Sequence, residues 1–201
     1  NVNAGRSFAT NGPMVRVSAT AASTSQTASL ELGDPLTIST TDGAVTINVD
    51  IESPTWAEFD KVEYYINPVT TRSSSVKQSG AGPVTVKRYA ITPTTTQNVS
   101  PVPVPVAGTS SSRLEASTSL NLTGLTQDVW VVVMVKGTDG ISRPLYPVIG
   151  NSLKTNTNTN LAQLTDGNLG EDGIEALAFT NPLFIDVDGG GWSPPGVLVN
   201  P

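Results

Sequence analysis

The densest run of side chains able to do chemistry is Asp186-Val187-Asp188-Gly189-Gly190-Gly191, preceded by Asp166-Gly167-Asn168 and Glu171-Asp172-Gly173. Residues two apart on a strand project to one side, so Asp186 and Asp188 face one way and Ile185 and Val187 the other. Two carboxylates on one side can address a single hard cation, with Gly190 letting a backbone carbonyl close in. The D-x-D-G-x-G spelling is that of the opening of a calcium loop. On this reading Ca2+ is structural, held by Asp186, Asp188 and Gly190, with Asn168, Glu171 or Asp172 completing the shell. The pattern departs from a helix-loop-helix site: its twelfth position is Val197 rather than glutamate, and Pro194-Pro195 forbids an exiting helix. The competing reading is an acidic, glycine-rich turn that ends a strand, the commoner use of Asp and Gly.

Other chemistry is narrowed by what the chain lacks. It has no histidine and no cysteine, which removes a Ser-His-Asp triad, a thiol nucleophile and imidazole or thiolate zinc ligands. Paired carboxylates remain formally available among 17 acidic residues, but no pair is singled out, and scattered acids on strand exteriors read as solvated surface. Trp56, Trp130 and Trp192 either form a sugar-stacking platform or, as tryptophan at strands usually does, pack into the core. Asn98-Val-Ser100 and Asn121-Leu-Thr123 spell glycosylation acceptors that arise by chance in a chain with 46 serines and threonines.

The elements that must position these residues follow from composition. The chain has 201 residues, only 14% of them charged, with 18 glycines and 15 prolines, a balance that favours strands and turns over surface helices. A net charge of -6 without clustered lysine or arginine argues against a nucleic-acid partner. The longest apolar run, Val129 to Val135, is far shorter than the ~18 residues of a membrane span. No signal peptide is visible, and a start at Asn1 reads as a processed product or an excised piece of something longer.

Val45, Ile47, Val49 and Ile51 alternate with Thr46, Asn48, Asp50 and Glu52, and Leu114, Ala116, Leu120 and Leu122 repeat the pattern, as Val62, Tyr64 and Ile66 do more briefly. Each reads as a strand with one face on a core. Trp130 to Val135 is apolar throughout and predicts a central strand covered on both faces. Further strands are expected at Met14–Ala19, Leu36–Ser39, Val84–Ile91, Leu145–Ile149 and Ala176–Val187. Roughly eight or nine strands, with turn signals and no helical period, predict an all-β fold: an antiparallel, immunoglobulin-like β-sandwich with long loops. Thr92–Ser112, with Pro-Val-Pro-Val-Pro, and Asn151–Asn160, with Thr-Asn repeats, read as long loops. The proline run also suits a groove-binding domain, though a stiff loop is its commoner role. Residues 1–13 read as a linker into the first strand and 14–201 as one domain.

Four phrases in order carry a family resemblance: Gly5 to Pro13; Ser53-Pro54-Thr55-Trp56 with Phe59-Asp60-Lys61-Val62-Glu63; Asp128 to Val133 followed by Gly137; and Ala178 to Gly189, closed by Trp192 and Pro195-Gly196. Together they resemble the C-terminal β-sandwich of bacterial polymerase-and-histidinol-phosphatase (PHP) type metallohydrolases, a group of phosphoesterases. The Thr92–Ser112 and Asn151–Asn160 stretches are not part of that pattern. The resemblance implies an absent upstream catalytic barrel whose histidine- and aspartate-rich metal cluster does the chemistry, so no catalytic residue carries over to this chain. It implies a non-catalytic accessory domain that packs on or orients the barrel, its partner in the same polypeptide. The alternative is a free-standing adhesion or carbohydrate-binding module. Low lysine content and a calcium turn suit an extracellular or periplasmic location, where calcium is abundant.

Overall fold

The computed structural model describes residues 7–31, 33–68, 70–79, 82–138, 146–147 and 173–194. Two packed sheets form a β-sandwich, and the described residues include no helix long and apolar enough to cross a membrane. The first sheet is built on β5 (Val45–Pro54), whose alternation buries Val45, Ile47, Val49 and Ile51 while Thr46, Asn48 and Asp50 turn outward. Antiparallel β2 (Met14–Ala21) and β11 (Ser112–Leu122) flank it, and β3 (Gln26–Ser29) and β10 (Val102–Pro105) lie at the edges. Burying an aliphatic side chain of this size stabilises the fold by about 1.5–3 kcal/mol, so the inner row of β5 alone outweighs any surface contact.

The second sheet centres on β12 (Val129–Lys136), which buries Val129, Val131, Val133 and Val135 against the first sheet. On one side it pairs with β6 (Lys61–Ile66), itself edged by β9 (Thr95–Asn98). On the other it pairs with two short strands in line, β15 (Leu177–Thr180) and β16 (Leu183–Asp186). Their outer edges are completed by antiparallel β1 (Phe8–Thr10) and parallel β4 (Thr37–Ser39). Two ribbons stand apart, β7 (Thr70–Ser79) with β8 (Gly82–Ile91) and β13 (Tyr146–Pro147) with β14 (Gly173–Ile174).

Several sequence expectations are corrected. Among the described residues there are sixteen strand elements, where roughly eight or nine strands were expected. The segment expected as one strand from Ala176 to Val187 is broken at Asn181-Pro182: Met134 faces Phe179 and Val131 faces Leu183, so three residues, 180–182, oppose two, 132–133. That is a β-bulge, and proline without an N–H belongs at one. The outer face of β12 is only half-buried at Trp130, Val132 and Met134, because neighbours on both edges do not supply a covering layer. Phe8–Thr10, read as linker, forms β1. Asn151–Asn160 and most of Leu145–Ile149 lie outside the described residues.

Thr92–Ser112 is not a loop alone, since it holds β9 and β10 and crosses from the edge of one sheet to the edge of the other. Pro103 and Pro105 alternate with Val102 and Val104, so only the valines can donate to β11, and the solvent edge carries positions without an N–H. Such an edge resists pairing with another strand. Before this crossing, Gln97 ties the sheets together. Its Oε1 accepts from Tyr64 Oη at 2.9 Å and from Thr118 Oγ1 at 2.7 Å, and its Nε2 donates to the Ser119 carbonyl at 3.0 Å.

Tyr64 is fully buried, so its hydroxyl must have a partner. Gln97→Ala is therefore expected to lower unfolding free energy by about 1–3 kcal/mol in chemical denaturation, with Tyr64→Phe recovering part of that loss in the double mutant. An unchanged denaturation midpoint for the single variant would contradict the clamp. Burial also pushes the Tyr64 phenol up to about 12. The neutral phenol is the folded form, so its stabilisation is full below the unfolded value near 10 and is lost as pH rises toward 12. Tyr64→Phe should flatten the alkaline limb of a melting-temperature profile.

Candidate functional site at the acidic turn

The acidic turn is built where β16 ends. Gly189 and Gly191 adopt φ of 75° and 90°, a left-handed region that glycine enters without a Cβ penalty, and the chain folds back over its own last strand residue. Asp186, 4% exposed, is the hub. Its Oδ1 accepts from Gly189 N at 2.8 Å, and its Oδ2 from Gly191 N and Ser39 Oγ, both at 3.1 Å. Its backbone carbonyl accepts from Thr40 N at 2.9 Å. Asp188 lies exposed and accepts from Gly190 N at 2.8 Å.

A third carboxylate comes from elsewhere in the chain. Asp128 directly precedes β12, and the register that sets Val129 against Ile185 brings it beside the turn. Its Oδ1 accepts from Val187 N at 2.9 Å and its Oδ2 from Ser193 N at 2.6 Å. Trp192 closes the assembly, its indole Nε1 donating to the Val129 carbonyl at 3.0 Å and its ring packing at 4.4 Å and 55° on Phe184. A surface pocket of about 280 Å³ opens beside Asp128, Asp188 and Ser193.

Asp128, Asp186 and Asp188 each offer an oxygen within 4.8 Å of the others. Carboxylate oxygens this close can be shared by one hard cation such as calcium. Negative charge this dense is tolerable because backbone N–H groups converge on it. For Asp186, burial pushes the carboxyl up, but donors from Gly189, Ser39 and Gly191 outweigh it and hold it below the ordinary carboxylate value.

Of the expected ligands, Asp186, Asp188 and Gly190 do lie together, but Gly190 contributes its N–H to Asp188, where a carbonyl had been expected. A Cβ on Gly190 would sit 3.0 Å from Asp188 Oδ1. Asn168, Glu171 and Asp172 lie outside the described residues. Asp128 was missed. Its signal was position alone, one residue ahead of the central strand, and that signal acquires meaning once β12 is paired antiparallel with β16. The tryptophans are not core: Trp56 is 53% exposed, and Trp130 and Trp192 are half-buried. A second pocket of about 420 Å³ is bordered by Lys61, Lys136 and Glu175. Beside it Lys136 Nζ pairs at 2.6 Å with buried Glu63, which also accepts from Tyr65 Oη at 2.8 Å.

Asp186→Ala strips acceptors from three donors and is expected to cost about 2–4 kcal/mol in denaturant unfolding; a loss under about 0.5 kcal/mol would show the turn to be dispensable. Because the folded carboxyl titrates below its unfolded value near 3.8, its stabilisation is present above that pH and disappears as acid protonates the folded group. The variant's acid transition should accordingly be shallower than that of the parent chain.

No family model matches the chain, and no curated protein or solved structure matches it.

Proposed function

We propose that this chain is a non-catalytic accessory β-sandwich domain whose work is to hold and present rather than to react. The observation that carries the reading is how the acidic cluster is used: the carboxylates of Asp128, Asp186 and Asp188 accept hydrogen bonds from Val187, Ser193, Gly189, Gly191, Ser39 and Gly190. Groups so engaged brace a turn. A catalytic acid or base instead needs an accessible proton and a partner of matched pKa.

The partner is a PHP-type metal-dependent hydrolase domain encoded upstream, whose barrel this domain packs on or orients. Support for that partner comes from the four sequence phrases alone. Within the same reading the acidic turn holds a structural Ca2+ through Asp128, Asp186 and Asp188, and the domain works in an extracellular or periplasmic setting. The observation favouring a cation is the spacing of the three carboxylate oxygens. A second reading, a carbohydrate-binding or adhesion module, draws on Trp56, a large aromatic left 53% exposed in the turn between β5 and β6.

The decisive experiment joins gene and protein. The reading frame before Asn1 is expected to encode a histidine-rich metal-binding barrel that co-purifies with this domain and alone hydrolyses phosphoesters. Turnover by the isolated chain, or an upstream frame with no such barrel, sinks the proposal, and glycan binding abolished by Trp56→Ala would favour the second reading. For the cation, millimolar calcium should raise the melting temperature of the chain, and Asp128→Asn or Asp188→Asn should remove most of that rise. Absence of both calorimetric heat and a melting shift would eliminate the calcium site.

A further inference from the structure

Asn11-Gly12 is the one Asn-Gly dipeptide in the chain, and the fold needs both residues for unrelated reasons. Gly12 is set by packing, since a Cβ there would fall 2.5 Å from the Cβ of Ala57. Asn11 extends the pairing of β1 beyond its last residue. Its backbone N donates to the Leu177 carbonyl at 3.0 Å, its Nδ2 to the Glu175 carbonyl at 3.0 Å, and its Oδ1 accepts from Leu177 N at 2.6 Å. The side chain thereby clasps a three-residue edge strand, exposed at every position, to β15.

We propose that Asn11 is a deamidation site held shut by this clasp, and that its conversion releases β1 from the sheet. Attack on an asparagine side chain by the following backbone nitrogen is least hindered when the next residue is glycine. Gly12 N, having lost its proton, bonds to Cγ of Asn11; the Cγ–Nδ2 bond breaks, and the nitrogen leaves as ammonia with that proton. Water then opens the succinimide at either carbonyl to give aspartate or isoaspartate, and no other reactant is required. In the folded chain both reacting groups are engaged elsewhere. Gly12 N donates to Thr10 Oγ1 at 2.9 Å, which donates in turn to the Pro13 carbonyl at 2.5 Å, and the carboxamide is pinned at both of its polar atoms. Reaction therefore waits on opening of the clasp, and short exposed edges open at small cost.

The product cannot restore the clasp. Aspartate replaces the Nδ2 donor with an oxygen facing the Glu175 carbonyl, and isoaspartate inserts an extra backbone carbon between β1 and β2. The event is one-way, so it acts as an age-dependent loosening of the strand through which the chain enters the sheet.

The test incubates the full chain at mildly alkaline pH, native and in urea, and follows isoaspartate at Asn11 by peptide mapping, with hydrogen exchange over Phe8–Thr10 and Leu177–Asn181. Conversion at Asn11 should run at least roughly tenfold faster in urea. Exchange in both segments should rise in Asn11→Asp, or in the deamidated fraction of aged wild-type protein should that variant not fold. Equal conversion rates in native and unfolded chain, or exchange in the deamidated protein indistinguishable from the parent, overturns the proposal.

Discussion

The N–H of Val133, at the middle of the central strand, donates to the side-chain hydroxyl of Thr180 at 3.1 Å. That hydrogen bond bridges the gap where the partner strand breaks at Asn181-Pro182, and much of the second sheet is arranged around it. A buried N–H left unmet would cost about 1–3 kcal/mol, so the bulge survives only because a hydroxyl of the right reach stands beside it. Asn181 uses its own N–H outward, on the Ser7 carbonyl at 3.2 Å, which helps seat the first strand.

Breaking the strand gives its halves different neighbours. β15 takes antiparallel β1, while β16, shifted by one residue, takes parallel β4. The same shift sets Val129 against Ile185 and therefore Asp128 against the acidic turn. Ser39 on β4 then reaches Asp186. A bulge, a parallel edge and a three-carboxylate cluster are in this sense one feature.

The two ends of the sandwich are secured differently. At the acidic-turn end, charge is stabilised by backbone donors, because many N–H groups focused on few carboxylates tolerate density that water would otherwise have to screen. At the open edge, Gln97 joins Tyr64 in one sheet to Thr118 and Ser119 in the other through neutral hydrogen bonds. Between them lie rows of aliphatic residues from β5 and β12, which supply most of the cohesion.

The amino-acid sequence by itself determined the two strongest strands and the class of fold. Strict alternation from Val45 to Ile51 and the β-branched run after Trp130 have a period set by backbone pleating, and no tertiary context was needed to read it. It also marked Asp186 and Asp188 as neighbours, since two-residue spacing is local. Only the tertiary structure decided that Pro-Val-Pro-Val-Pro is an edge strand, because a chain with alternate donors missing can pair on one side but not announce with what. Only the tertiary structure brought Asp128 to Asp186, across a separation that periodicity cannot span. Strand pairing is a choice among partners distant in the chain, fixed by which register buries the valines and satisfies the N–H groups, and that choice is made by the assembled sheet.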